Sequence, residues 1–278
     1  MSYSNNTNKN KKKRAVFRYF EALYVKLPKI VLIGFIYFLC ILPLLCGAIA
    51  FTSAALNLST ETIGSFFFIN SACWLASWTP QWVAVPLFLI SLVCYGPLTA
   101  GLTYCMRNLA NGSQAWVSDL FSRALSNAKQ GIALGATDTI FALSFIFYIS
   151  ADFSSQQGNA LFIYSALKII AICAAVFYFT MRFYTYVIAV TFELSLKDIY
   201  KNSMIFCVLG FFKNLLVFLV FAIVIISFTS TPRVDVFLIA TLFFGLCRFS
   251  TMFITYPVVK KYMLQPEKED NENKETAD

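Results

Sequence analysis

The sequence predicts an all-α fold: a polytopic membrane helical bundle of about six transmembrane helices, with amphipathic interfacial helices beside them. Three observations carry this expectation. Hydrophobic residues make up 59% of the 278-residue chain and charged residues 13%, where a soluble domain is about half apolar and a quarter charged. The apolar residues fall in runs that reach the roughly 20 residues a helix needs to cross hydrocarbon. The lysines and arginines behind the net charge of +8 flank those runs, the placement that orients membrane helices, and so argue against nucleic acid as a partner.

Three regions follow. Residues 1–28 read as a basic cytoplasmic tail and an interfacial amphipathic helix, 29–263 as the membrane domain, and 264–278 as a disordered cytoplasmic tail, rich in polar and charged residues. In RAVFRYFEALYVKLPK, Val16, Phe17, Phe20, Leu23, Tyr24 and Leu27 fall at helical spacing, with Arg14, Arg18, Glu21 and Lys26 opposite. That pattern predicts a helix lying in the membrane surface and ended by Pro28. Anionic lipid headgroups are the expected partners of the basic N-terminal region. The first span is read at Lys29–Leu56. A basic flank before an apolar stretch also resembles a signal peptide, but this run exceeds an h-region and more spans follow, so it is expected to be retained.

Segment 57–81 carries no lysine or arginine. Trp74 and Trp78 within it and Trp82 just beyond it recur at every fourth position, an aromatic stripe that reads as an interfacial anchor or as a platform for stacking a ligand. The second span, Val83–Met106, contains YGPLTAGLTYC. Gly96, Ala100 and Tyr104 share one helical stripe and Pro97, Gly101 and Cys105 the next, which predicts a helix-packing seam at Gly96, Pro97, Ala100 and Gly101. Between Trp116 and Gln130, Val117, Leu120, Phe121, Ala124, Leu125 and Ala128 form an apolar stripe. This element reads as a coupling helix for a cytoplasmic partner, or as one resting on lipid or on its own bundle.

The third span is expected at Gly131–Ser150 and the fourth at Ala160–Arg182, with apolar character continuing through FYTYVIAVTF. Ser195 and Asp198 have the spacing of a capping box. The fifth span can begin near Ser203, or Gly210 can break the chain and leave Lys213 at the inner end; the second avoids a lysine at membrane depth. The sixth is expected at Val234–Pro257. Regions 95–150 and 179–230 hint at a repeat, since each reads as span, amphipathic helix, span. Basic residues gather before the first span (Lys9 to Lys29), in loop 107–130 (Arg107, Arg123, Lys129), around the fourth and fifth spans (Arg182, Lys197, Lys201, Lys213) and in the C-terminal tail, against Arg233 on the other side. The bias predicts a multi-pass protein of a bacterial plasma membrane with both termini cytoplasmic.

Three stretches carry a resemblance. GPLTAGLTYCMRNLANGSQAWVSDLFSRALSNAKQG (96–131), TFELSLKDIYKNSMIF (191–206) and YPVVKKYM (256–263) are similar to segments of the YesL-like family of bacterial integral membrane proteins of unknown function. WVSDLF departs from the family's W-x-D-F-like helix by the leucine between Asp119 and Phe121, and 57–81 does not align. The resemblance implies no reaction, cofactor or catalytic residue. Its members are often encoded beside carbohydrate-uptake and polysaccharide-degradation systems, which implies an accessory role and a membrane permease as partner.

The chain has eight cysteines and no histidine. No C-x-x-C pair, phosphate loop, nucleophile elbow or H-E-x-x-H helix occurs, so the sequence points away from zinc sites, histidine bases and familiar hydrolytic motifs. Neither catalytic residues nor a cofactor are expected. Intramembrane ionisable residues are the best pointers to function. Asp138 and Arg248 both fall about 10 to 14 Å inside the inner boundary, by the helical rise. They are the candidate polar pair, lining an inter-helix cavity or serving as a plain interhelical staple. The expected function is a non-enzymatic accessory or assembly factor linked to carbohydrate uptake; the alternative is a secondary transporter or channel for a small solute.

Overall fold

The computed structural model describes residues 15–56, 81–150, 159–229 and 244–264. Among them every regular element is helical. The helices are α1 (Ala15–Leu56), α2 (Gln81–Ala110), α3 (Val117–Ser126), α4 (Ala128–Ser150), α5 (Asn159–Ala189), α6 (Leu196–Leu209), α7 (Phe211–Thr229) and α8 (Arg248–Val259), which runs into a π-helical turn at Lys260–Leu264. The all-α expectation therefore holds. Trp74, Trp78 and the tail beyond 264 lie outside the described residues, while Trp82 falls in the first turn of α2.

Two helices, α1 and α5, are long and apolar enough to cross a membrane over Phe17–Leu44 and Phe162–Ala189. A third span arises if α6 and the first part of α7 are taken as one broken span. The count of six is not reached among the described residues. Phe162, Ile163, Ile169 and Ile170 on α5 and Leu215, Leu216 and Leu219 on α7 are exposed. Exposed apolar side chains in such numbers are costly in water and suit a lipid environment.

α2 is the hub, packing against α1, α3, α4, α5 and α8. Its partner α1 contributes Ile30, Ile33, Tyr37 and Ile41, all buried, at the three- and four-residue spacing that keeps one helical face turned inward. The expected stop at Pro28 does not occur, because α1 continues through both Pro28 and Pro43. Proline removes one backbone donor and crowds the preceding turn. Here the helix is held on both sides of that point: Tyr19 and Leu23 pack on the core before it, Ile30 and Ile33 after it. Lys26 Nζ also donates to the carbonyls of Leu109 (3.0 Å) and Ser113 (2.9 Å), placing a cation on the C-terminal end of α2.

That end of α2 closes with a Schellman arrangement. Ser113 N–H bonds Asn108 O at 2.9 Å and Gly112 N–H bonds Leu109 O at 3.2 Å. Gly112 takes φ 92°, a conformation that a Cβ disfavours. Arg107 then ties α2 to the end of α5, donating to Val190 O (3.2 Å) and Thr191 Oγ1 (2.8 Å).

The small-residue seam is present and its partner is α4. A Cβ on Gly96 would meet Gly131 O at 1.8 Å, and one on Gly131 would meet Pro97 Cα at 2.7 Å. A Cβ on Gly135 would meet Gly96 Cα at 2.7 Å. Gly101 lies under α3, where its Cβ would meet Leu120 O at 2.2 Å. Backbones this close gain dispersion contacts that lipid cannot replace. Ala100, on the same helix, is buried in the core.

The amphipathic segment divides at Asn127 into α3 and the start of α4. Trp116 N–H donates to Asp119 Oδ2 at 2.8 Å, fixing the start of α3. Leu120 and Ala124 are buried, whereas Phe121 and Leu125 are exposed, so α3 rests on its own bundle by part of its apolar stripe. Ser195 caps α6 as its spacing predicts, accepting from Asp198 N–H at 3.3 Å. Gly210 ends α6, and α7 leaves at 87°. The chain thus follows the reading with a break at Gly210, and Lys213 stands exposed in the first turn of α7. Asn214 braces the corner: its Nδ2 donates to Cys207 O (2.9 Å) and its Oδ1 accepts from Tyr184 Oη (2.7 Å).

Among the described residues Cys105, Cys207 and Cys247 are buried and Cys94 and Cys173 exposed, all as free thiols.

Candidate functional site

The site grows from the periodicity of two helices. On α5, Tyr178, Arg182 and Tyr186 stand four residues apart and share one face. On α4, Gly131 and Gly135 let that helix approach α2, and Asp138, one turn further on, lies on the same side. The glycines therefore deliver a carboxylate into the bundle.

Asp138 is 9% exposed, and its carboxylate is well satisfied. Arg182 Nε donates to Oδ2 at 2.7 Å, Tyr186 Oη donates to the same oxygen at 2.7 Å, and Tyr178 Oη donates to Oδ1 at 2.8 Å. Arg182 reaches further with Nη2, which hydrogen-bonds Tyr95 Oη on α2. Its guanidinium lies 5.3 Å from the centroids of both the Tyr95 and Tyr186 rings. Phe141 stacks on Tyr178 at 4.0 Å between centroids, which fixes that donor's orientation.

The ion partner of Asp138 is thus Arg182 (N to O 2.7 Å) rather than Arg248. Equal helical depth made Arg248 the expected partner, but the stripe of α5 faces Asp138 more directly. Arg248, in the first turn of α8, also approaches Tyr186 and borders the same cavity as Arg182. Its guanidinium lies 5.7 Å from that ring's centroid, close enough to Asp138 and to Arg182 for electrostatic interaction with both. Tyr37 of α1 completes the group, its hydroxyl 2.8 Å from Thr99 Oγ1. Side chains from α1, α2, α4, α5 and α8 converge here.

Five other buried hydroxyls are satisfied within their helices. Thr103, Thr185, Ser203, Thr251 and Thr255 each donate to the carbonyl four residues back. This back-bonding silences a polar group in an apolar setting, whereas the cluster, like the Tyr184–Asn214 brace, bonds between helices.

Two cavities adjoin the cluster. One of about 560 Å3 is bordered by Asp138, Thr139, Arg182, Tyr95 and Tyr178, and otherwise by apolar side chains including Phe141, Phe145, Ile172 and Val176. One of about 180 Å3 is bordered by Arg182, Arg248, Tyr37 and Tyr95. Leu44, Tyr95, Phe179 and Arg182 border both. Concave apolar space with a few convergent polar groups is the usual form of a small-molecule site. Among the described residues no group of histidine, cysteine and carboxylate side chains could hold a metal ion.

Of the sequence candidates, Asp138 and Arg248 come together in one cluster, and Gly96, Pro97, Ala100 and Gly101 form a seam that supports it. Tyr95, Tyr178, Arg182 and Tyr186 were not expected at the site. Their signal was the four-residue repeat Tyr178, Arg182, Tyr186 in the fourth apolar run. Arg182 instead read as the positive charge ending that run, but the helix continues to Ala189. Arg182 therefore leaves the set of loop charges, and the other basic residues carry the orientation argument without it.

No protein-family model matches the chain, and no curated protein or solved structure matches it.

Proposed function

We propose that this chain is a multi-pass protein of a bacterial plasma membrane, with cytoplasmic termini, that acts as a secondary carrier for a small solute held at the Asp138, Arg182 and Arg248 cluster. The supporting observation is the pair of cavities that meet at Arg182, beside a buried carboxylate, inside a bundle with an apolar exterior. A plain staple needs the ion pair but no adjoining space. Ionisable groups buried among membrane helices mark solute or proton pathways in carriers generally. The twice-used order of long helix, short helix, long helix, in α2–α4 and again in α5–α7, also suits a carrier built from repeats.

The test is flux in liposomes containing the purified protein. Substrate-dependent uptake by the wild type, reduced at least tenfold by Asp138→Asn, is the expected result. Absence of flux together with co-purification of a permease supports the second reading, a non-enzymatic accessory factor for carbohydrate uptake. The resemblance of 96–131 to YesL-like proteins and the exposed Trp116, Phe121 and Leu125 beside α3 favour that reading.

A further inference from the structure

We propose that the gap between Arg182 and Arg248 binds the acidic headgroup of a monoanionic amphiphile, whose apolar body lies in the larger cavity. This names a substrate class for the carrier reading and rests on that reading for its role in transport.

Charge is the first reason. The cluster holds two guanidinium groups and one carboxylate among the described residues, a surplus of one positive charge. Asp138 already receives Arg182, Tyr178 and Tyr186, which takes most of a carboxylate's roughly four acceptor positions. A single further negative charge neutralises the site, and a second would restore the imbalance.

Arg248 is the second reason. A guanidinium carries five N–H donors. That of Arg248 makes no hydrogen bond among the described residues, its contact being the Tyr186 face at 5.7 Å. A cation kept at membrane depth without acceptors is unfavourable. Arg182 repels it across the same space. An oxyanion between the two arginines supplies acceptors to both and removes the repulsion, and its paired oxygens match the guanidinium fork.

Shape is the third. The cavity of about 180 Å3 bordered by both arginines far exceeds the roughly 10–15 Å3 that admits a water. It shares Leu44, Tyr95, Phe179 and Arg182 with the apolar cavity of about 560 Å3. A charged head at Arg182 therefore has an apolar continuation, which a sugar or a small hydrophilic ion would not fill. The head is a carboxylate or phosphodiester, from a free amphiphilic acid or from a bilayer lipid.

The experiment is equilibrium binding of decanoate and of decanol to the full chain in uncharged detergent. Wild-type protein is expected to bind decanoate saturably and decanol at least tenfold more weakly. Arg248→Gln is expected to lose at least tenfold for decanoate, Arg248→Lys less, and the exposed Lys197→Gln nothing. Equal binding of decanoate and decanol by the wild type overturns the proposal, and needs no variant to fold; so does unchanged decanoate binding by a folded Arg248→Gln. A second arm isolates the chain from nanodiscs of phosphatidylglycerol or phosphatidylcholine and reads retained lipid by native mass spectrometry. Phosphatidylglycerol retained by wild type and lost in Arg248→Gln assigns the head to a bilayer lipid. Decanoate binding with no retained lipid assigns it to a free acid. Neither ligand binding overturns the site. Binding without flux refutes carriage and leaves the site intact, whereas flux of another solute without decanoate binding refutes the site alone.

Discussion

At the scale of the residue, Asp138 is held by three donors of unequal importance. Arg182 both neutralises and hydrogen-bonds it, while Tyr186 and Tyr178 only donate. Arg182→Gln leaves a buried carboxylate without its ion partner, and breaking buried pairs this way costs about 3–5 kcal/mol. Tyr186→Phe removes one hydrogen bond to a charged group and costs about 1.5–3 kcal/mol. Denaturant unfolding in detergent is expected to rank Arg182→Gln below Tyr186→Phe, and both below wild type; the reverse order would mean that Arg182 is not the principal partner. Asp138 was legible because a lone carboxylate interrupts an apolar run. Arg182 was not, because it stands where a span of ordinary length ends, and hydropathy cannot separate an interfacial arginine from one folded inward. The flanking tyrosines add no warning, since tyrosine also serves at membrane interfaces.

At the scale of the element, the corner between α6 and α7 depends on Gly210 for lack of room. A Cβ there would meet Tyr184 Oη at 2.1 Å, displacing the hydroxyl that bonds Asn214. Gly210→Ala is expected to cost about 1–3 kcal/mol, as overpacking does. Asn214→Leu loses the same brace from the other side, so the double variant is expected to lose less than the sum of the singles. Thermal unfolding of the four proteins checks this, and strict additivity would show that the two residues act separately. The break was legible through the cost of carrying Lys213 into the membrane. The continuation of α1 through Pro28 was not, because the contacts that hold it come from α2 and α8, distant in sequence. Local chemistry announced a stop that tertiary packing overrides.

At the scale of the whole molecule, α1 is the dominant dimension. Its 42 residues have a contour of about 63 Å at 1.5 Å per residue, about twice the hydrocarbon thickness. Part of it therefore runs outside the hydrocarbon, and the lysines at 26 and 29 mark where it is strapped to the loop after α2. In the proposed orientation that strap lies on the cytoplasmic side. Single-cysteine variants at positions 12 and 112 in a background without other cysteines are expected to react with a membrane-impermeant maleimide only after the cells are opened. Labelling of intact cells would invert the proposed orientation. Composition made the helical class legible across the chain, but it overstated what can be counted: an apolar run specifies that a helix is buried in something, lipid or protein, without saying which. The second half of α5 illustrates this, because Tyr184, Tyr186, Val187 and Ile188 are enclosed by neighbouring helices.

The glycine contacts between α2 and α4 have a consequence for how the protein can change over generations. At Gly96, Gly131 and Gly135 the atoms that would obstruct a new methyl group belong to the opposing main chain. No neighbouring side chain can be trimmed to make space. Gly96→Ala is therefore expected to lack local suppressors. A selection for restored function should return changes at the ends of α2 or α4 that slide one helix along the other; a rescuing truncation beside Gly96 would show that the contact is softer than its geometry. The seam is thus inherited as one unit, closed to stepwise exchange while the loops around it are free to drift.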